Sequence, residues 1–274
     1  MKDEVGEGRR RRRGVTAPRE VERVDPNALG APEASRGQAA PPLGGHGVAW
    51  LVGLLQAGDS FYPTGGYAHS LGLEGLVQEG VVQDRSSLRE WMLRAALPAL
   101  QHTELPLAAH AWRALDGPDW PRVGEICVLA AALKPAREIR AAAESIGRQR
   151  AELMAALHHR PLAQDYLARA MAEGWPHSSA VSAALEGRVL GAPLAAVLAG
   201  LTYATLAALL AAAMKLLRLG QNACQTLLTE TLAAAPALIA SAAAVPLAEI
   251  GWFNPWHDIA AARHENADAR MFIS

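Results

Sequence analysis

The longest stretch without a charged residue constrains the fold of this chain more than any other feature of its sequence. The 26 residues between Arg188 and Lys215 contain no Asp, Glu, Lys or Arg, which is enough for one helix to cross a bilayer. From Ala192 to Met214, however, ten alanines outnumber six leucines. Each alanine offers lipid a single methyl group, at about 0.8 kcal/mol per buried CH₂, and the flanks lack basic clusters and aromatic belts. The composition therefore favours a central helix packed closely by neighbours, with a membrane protein spanning 192–214 as an alternative.

The rest of the chain after residue 47 also shows helical rather than strand periodicity. Apolar residues recur at three- and four-residue steps after Pro121, and Asn254 with Pro255 is typical of a helix cap and first turn. The span 136–157 pairs a ladder of alternating charges with an apolar stripe. That stripe comprises Ile139, Ala143, Ile146, Leu153 and Leu157. We predict an all-α fold, a single globular domain of roughly ten helices over residues 48–274.

Residues 1–47 differ from the rest of the chain in composition. They hold nine basic and seven acidic residues, many Gly and Pro, and no aromatic residue. Such a segment buries too little apolar surface to offset its ordering entropy, so we predict a disordered leader. The run Arg9–Arg13 is interpreted as solvated, with contact to phosphate or anionic lipid as the alternative.

Charge and cysteine content exclude several classes of function. The 26 basic and 27 acidic residues leave no chain-wide basic footprint for nucleic acid. No P-loop motif occurs, which excludes a P-loop nucleotide hydrolase. Cys127 and Cys224 are too few and too far apart in sequence for a disulfide scaffold, so a reducing cytoplasm is predicted. The histidines show no metal-ligand spacing, and we expect no resident metal.

The segment from Asp59 to Glu74 is the first of three that carry functional signals. Its Pro63–Gly66 run predicts a tight turn in which glycines adopt positive φ, leading into a helix. Ser70 lies in Ala-His-Ser-Leu-Gly, a degenerate nucleophile elbow, which leaves a serine hydrolase as an alternative. The elbow requires a preceding β-strand, and a turn precedes it instead. A buried turn or a partner's contact surface is therefore favoured.

The second segment runs from Lys215 to Gln225. Gly220 occupies the position expected of a C-terminal helix cap, with Lys215 and Arg218 in the preceding last turn. Gln221 and Gln225 face the same side of the next helix. If they are buried, they need hydrogen-bond partners across helices or subunits. A structural role is favoured for this segment.

The third segment is the chain end, residues 252–274. It contains four of the 14 aromatic residues of the chain, together with Arg263 and Arg270. Chain ends are usually polar and frayed, whereas Trp, Phe and Arg dominate the binding energy of protein interfaces. We therefore predict a partner-binding end, with a tail docked on its own domain as the alternative.

In this order, the three segments resemble the urease accessory protein F (UreF) family. The resemblance lies in Pro63-Thr-Gly-Gly-Tyr-Ala-His-Ser-Leu-Gly-Leu-Glu74, in Arg218-Leu-Gly-Gln221 with Gln225, and in Asp258-Ile-Ala-Ala-Ala-Arg-His-Glu265 with Arg270-Met-Phe-Ile-Ser274. It covers residues 50–274, and the leader has no recognisable counterpart.

This resemblance implies an all-α, homodimeric cytoplasmic protein that is not an enzyme. Family members bridge the GTPase UreG and the urease-docking protein UreD, also called UreH, and the assembly delivers nickel into apo-urease. The resemblance implies no cofactor, nickel being handled indirectly through partners, and no nucleic-acid or membrane partner. The residues it assigns to partner binding are Pro63, Thr64, Gly65, Gly66, Tyr67, His69, Ser70, Glu74, Arg263, His264, Glu265, Arg270 and Phe272. The residues it assigns to structural support of that interface are Arg218, Gly220, Gln221 and Gln225.

Overall fold

The computed structural model describes residues 48–273, apart from the side chain of Tyr67, and the predicted leader lies outside the described residues. Every regular element in that range is helical, which confirms the all-α prediction. The α-helices are α1 (Ala49–Ala57), α2 (Leu73–Gln78), α3 (Arg85–Trp91), α4 (Leu97–His102), α5 (Glu104–Ala114), α6 (Trp120–Ala132), α7 (Arg137–His158), α8 (Pro161–Glu173), α9 (Ser179–Leu190), α10 (Leu194–Leu216), α11 (Gln221–Leu232), α12 (Ala235–Ala242) and α13 (Pro255–His264). A π-helical turn, Met92–Ala96, joins α3 to α4, and short 3₁₀ turns span Gly66–Ala68 and Leu247–Glu249.

Capping side chains set the start of several helices. As predicted, Asn254 caps α13: its side-chain oxygen accepts a hydrogen bond from the His257 N–H at 3.2 Å, and Pro255 is the first helical residue. Asp84 caps α3 by accepting a hydrogen bond from the Ser87 N–H at 2.8 Å. The Ser87 hydroxyl oxygen accepts in return from the Asp84 N–H at 3.0 Å, which closes a capping box.

Helix α9 lies at the centre of the core, packed between α5 and α7. All of its residues from 180 to 187 are buried. Glycine permits the close approach on two sides. A Cβ added at Gly147 of α7 would lie 2.5 Å from the carbonyl carbon of Ser178, and Gly187 leaves space that Val197 of α10 fills.

The buried face of α7 differs from the predicted stripe. The residues of α7 that are fully buried are Ala142, Gly147, Ala151 and Met154. By contrast, Ile139, Ala143 and Ile146 are only half-buried, and Leu157 is exposed. Small side chains lie against α9 because close packing of the two helices leaves no room for larger ones. Ile139, Ala143 and Ile146 instead line one wall of a groove of about 350 Å³.

The charge-free helix α10 forms another wall of that groove through Ala204, Ala207 and Ala208. Among the described helices, α10 alone is by itself long and apolar enough to cross a membrane; α11 and α12 meet that test only together, as a bent pair. Helix α10 packs against α2, α5, α9, α11 and α12. These contacts favour the predicted packed helix over a membrane span.

Candidate functional site

The first and third sequence segments meet in space because α2 packs against α13. Gly75 lies at the crossing, where an added Cβ would be 2.6 Å from the carbonyl oxygen of Ala260. Gly72 precedes α2 with φ +87°, and a Cβ there would lie 2.5 Å from His257 Nε2. A larger residue at Gly75 therefore meets the backbone of α13 and displaces that helix, whereas at Gly72 it is strained by the left-handed backbone and requires the His257 ring to move.

The turn before α2 has partly the conformation that its glycines predict. Gly65 adopts φ +78°, whereas Gly66 begins the 3₁₀ turn without a positive φ. The Tyr62 hydroxyl donates a hydrogen bond to Glu186 Oε1 at 2.7 Å, and Arg150 pairs with the other oxygen of that carboxylate at 3.2 Å. Burial, followed by the charge of Glu186, raises the pKa of Tyr62 well above its ordinary value. These contacts anchor the turn to α7 and α9.

The serine hydrolase alternative is wrong, because Ser70 is inaccessible. Its side chain is fully buried, and its hydroxyl oxygen accepts a hydrogen bond from the Glu74 N–H at 3.2 Å. No β-strand occurs among residues 48–273, so the described range lacks the elbow architecture. The neighbouring His69 is also buried, and this burial lowers the pKa of its imidazole. A nucleophile in this position does not reach a substrate.

The chain end, residues 269–273, lies along α2 and is called the C-terminal strap below. The backbone N–H groups of Met271 and Phe272 donate to the two carboxylate oxygens of Glu74, at 2.7 and 2.9 Å. Glu74 and Phe272 are both buried. One carboxylate of α2 therefore holds two consecutive residues of the strap.

Further contacts fix both ends of the strap. The Gln78 side chain donates to the carbonyl of Ala269 at 3.0 Å, and the Ile273 N–H donates to the carbonyl of Ala68 at 2.9 Å. The ammonium group of Lys215 lies 5.1 Å from the ring centroid of the buried phenylalanine. The strap thus connects the turn, α2 and the end of α10.

A buried histidine links this arrangement to α7. His264, which is 2% exposed, has Nε2 3.0 Å from Glu74 Oε2 and Nδ1 3.0 Å from Glu138 Oε2. Arg270 of the strap donates to the other oxygen of Glu138 at 2.7 Å. The four side chains form a network that joins α2, α7, α13 and the strap. We call it the histidine network.

These positions divide the predicted partner-binding set into buried and exposed residues, and partner binding itself stays a prediction. The members whose side chains are buried are His69, Ser70, Glu74, His264 and Phe272. The members that are exposed or half-exposed are Pro63, Thr64, Gly65, Gly66, Arg263, Glu265 and Arg270. The buried side chains pack within this chain, so in this structure they position a surface rather than form it. An aromatic residue near a chain end is expected to be buried. The sequence does not specify whether it is buried against another protein or against its own domain.

The second segment departs from its prediction at Gly220. This glycine is not a C-terminal cap: it precedes α11 with φ −72°, and Arg218 holds the left-handed conformation at φ +53°. Gln221 and Gln225 are exposed, so they need no buried hydrogen-bond partner within the chain. The role of the four residues in supporting a partner interface stays a prediction.

Several apolar residues before and on α13 and in the strap are exposed to solvent, and the sequence analysis did not name them individually as site residues. They are Trp252, Phe253, Trp256, Ile259, Met271 and Ile273. Helix α13 carries apolar residues on both of its sides, so packing one side against α2 leaves the other uncovered. That two-sided pattern was readable in the sequence. Exposed large apolar side chains of this kind mark interaction surfaces.

The groups described above bind one another and position the strap against α2. Within the described range, no three His, Cys, Asp or Glu side chains are placed to hold a metal ion. Carboxylates, imidazole and guanidinium in the histidine network are all engaged with one another.

Comparison with known proteins gives a consistent family. A family model described as UreF matches residues 82–232. The urease accessory protein UreF of a Cereibacter sphaeroides strain is 35% identical over 228 residues, covering 82% of this chain and 98% of that protein. The UreF of Methylibium petroleiphilum is 31% identical over 235 residues, covering 85% of this chain and 98% of the relative. For Paenarthrobacter aurescens UreF the identity is 29% over 227 residues, covering 83% and 99%. The chain therefore belongs to the UreF family of urease accessory proteins, and it is an accessory protein rather than an enzyme.

Proposed function

We propose that this protein is a urease-maturation scaffold that holds the GTPase UreG and the docking protein UreD (UreH) together for nickel delivery into apo-urease. The observation that carries the proposal is the docked strap, which joins the two segments associated with partner binding. Met271 and Ile273 are 60% and 62% exposed and flank the buried Phe272. Nickel is the cargo of the assembly and reaches urease through the partners.

The strap suits protein recognition because it offers side chains on a fixed base. Met271 and Phe272 lie in a bend of the chain, and the buried Phe272 anchors the strap while Met271 and Ile273 stay exposed. Burying a Met or Ile side chain against a partner contributes about 1.5–3 kcal/mol. Two such contacts contribute about 3–6 kcal/mol, or two to four orders of magnitude in Kd. Ordering before binding also lowers the entropic cost of association.

The test replaces both exposed side chains, as Met271→Ser with Ile273→Ser, and measures retention of UreD/UreH and UreG on the tagged full chain, with and without GTP. We expect retention to fall at least tenfold, with the thermal unfolding midpoint unchanged because neither side chain packs in the core. Met171→Ser is the matched control, since Met171 of α8 is 84% exposed and lies outside the strap. Equal retention by the strap variant and the control contradicts the proposal.

Removal of residues 272–274 tests the same surface in cells. Truncation deletes the buried Phe272 and the N–H contacts that end the strap. We expect urease activation to be lost while the circular dichroism of the helical domain is retained. Full activation by the truncated protein contradicts a role for the chain end.

We further propose that the protein is a cytoplasmic homodimer without nucleic-acid or membrane partners. The packing of α10 against several helices supports recovery without detergent. Sedimentation of the detergent-free protein is expected to give two chains of 29.0 kDa each. A single chain, or recovery from the membrane fraction alone, contradicts this assembly.

A further inference from the structure

We propose that His257 is a positioning residue that holds the turn before α2, residues 70–73, in a backbone conformation that the sequence of this turn disfavours. Docking of the C-terminal segment, which is α13 with the strap, is thereby coupled to the shape of the 70–73 turn. The proposal rests on the proposed function only for its consequence, that a partner bound to one of these elements stabilises the other. The coupling itself belongs to the isolated chain and is tested there.

The 70–73 turn has two consecutive residues in the left-handed region of backbone conformation. Leu71 has φ +54° and Gly72 has φ +87°, and the Leu73 N–H donates to the carbonyl of Ser70 at 3.1 Å. Positive φ at both central residues is the pattern of a type I′ turn, in which Asn-Gly is strongly preferred. A leucine there is strained, because its Cβ crowds the following carbonyl oxygen. The sequence of the turn therefore disfavours the conformation that Leu71 adopts.

A ring from the far end of the chain contacts the strained residue directly. His257 Nε2 lies 3.1 Å from the carbonyl oxygen of Leu71. Because a carbonyl oxygen only accepts hydrogen bonds, this ring nitrogen carries the hydrogen and donates it. The ring occupies the space that Gly72 leaves open, since an added Cβ would lie 2.5 Å from Nε2. The His257 ring therefore stabilises the carbonyl orientation that the left-handed turn requires.

The position of the His257 ring depends on the docking of α13. The backbone N–H of His257 donates to the side-chain oxygen of Asn254, the cap of α13, at 3.2 Å. Its ring lies nearly parallel to that of Trp91 of α3, with the ring centroids 6.4 Å apart and the planes at 18°. The ring is thus placed by α13 and α3, and it in turn positions the 70–73 turn.

The C-terminal segment contacts the chain on both sides of the buried Ser70. The Ile273 N–H donates to the carbonyl of Ala68 at 2.9 Å, and the His257 ring donates to that of Leu71. Release of the segment removes both donors at once, and the strain at Leu71 is then no longer offset by the bond from the ring. Coupling free energies are reciprocal, so a turn that is stable by itself also favours the docked segment.

The test measures amide hydrogen exchange of the full chain by mass spectrometry, in residues 66–74 and in the C-terminal segment, with the buried helix α9 as the internal reference. His257→Phe keeps an aromatic ring beside Trp91 but has no donor, and we expect it to lower the protection of both regions at least about threefold. The matched control is His110→Phe, which removes a ring contact of 2.9 Å to the carbonyl of Val245, outside both regions. We expect this control to leave the protection of both regions unchanged.

Substitutions at Leu71 separate positioning from a merely structural role of the ring. Leu71→Asn produces the preferred Asn-Gly pair, whereas Leu71→Ala removes the same apolar side chain without favouring a left-handed backbone. Combined with Leu71→Asn, His257→Phe is expected to change protection by less than about twofold. Combined with Leu71→Ala, it is expected to cause the full loss. By reciprocity, Leu71→Asn alone is expected to protect the C-terminal segment more strongly than Leu71→Ala does.

Two results overturn the proposal. One is an equal loss of protection from His257→Phe in the Leu71→Asn and Leu71→Ala backgrounds. The other is equal protection of the C-terminal segment in Leu71→Asn and Leu71→Ala, a comparison that keeps His257 and stands by itself if His257→Phe does not fold. Both measurements use the chain without partners, so their failure is distinguishable from a loss of UreD/UreH or UreG binding, which tests the proposed function.

Discussion

The substitution Glu74→Gln attacks the contact on which the docked strap depends most. Glu74 accepts three hydrogen bonds, from the N–H groups of Met271 and Phe272 and from His264 Nε2. Glutamine keeps one carbonyl oxygen and replaces the other oxygen with an NH₂ donor. One or two of the three donors then lose their acceptor, depending on how the amide is oriented, and each unsatisfied group costs about 1–3 kcal/mol. Docking of the strap is expected to weaken by about 1–6 kcal/mol in total, which is about fivefold to 10⁴-fold.

Trypsin cleavage after Arg270 reports this opening, because the strap must leave α2 to enter a protease. At low protease concentration the cleavage rate follows the open population, so Glu74→Gln is expected to be cut at least about fivefold faster than wild type. Glu79→Gln is the matched control on α2: it removes an exposed pair with Arg263 worth about 0–1 kcal/mol. Its cleavage rate is expected to stay within a few-fold of wild type. Cleavage of Glu74→Gln at the rate of the control refutes the reasoning.

Three other predictions concern the packing of the helices and the turn that support the site. Gly147→Ala is expected to lower the free energy of unfolding by about 1–3 kcal/mol in urea titrations, because its Cβ meets the backbone of Ser178, the N-cap of α9. The matched variant Gly200→Ala has open space around its Cβ and is expected to raise that free energy by up to about 1 kcal/mol. Tyr62→Phe removes the hydrogen bond to Glu186 and is expected to lower Tm by a few degrees in scanning calorimetry. Burial raises the pKa of the Cys127 thiol to about 12, so alkylation at pH 8 is expected only after unfolding. The first prediction is contradicted if Gly147→Ala is as stable as Gly200→Ala, and the second if Tyr62→Phe has the wild-type Tm. Alkylation of Cys127 in the folded protein contradicts the third.

Local signals in the sequence predicted much of the helical framework. Asn254 and Pro255 begin α13 as expected, and the residues after Pro121 bury the predicted side of α6, including Cys127. These features depend on contacts within one or two helical turns, so short windows of sequence contain the necessary information.

The sequence was less informative wherever the decision depended on a distant element. Helix α7 turns Gly147 rather than Ile146 to the core because α9 approaches closely, and no periodicity of α7 alone contains that distance. Gly220 looks like a helix cap locally, but Arg218 takes the left-handed position. The site was found as two separate segments, and their union through Glu74 required the packing of α2 on α13.

The most direct test of the account is the capture of the purified Glu74→Gln chain by immobilised UreD/UreH in the presence of UreG, alongside wild type and Glu79→Gln. Glu74 is buried, so its side chain is not available for direct contact with a partner. If the docked strap creates the partner surface, Glu74→Gln loses capture at least tenfold while Glu79→Gln binds like wild type. Capture of Glu74→Gln at the wild-type level, with its strap shown to be open by trypsin, contradicts the central claim.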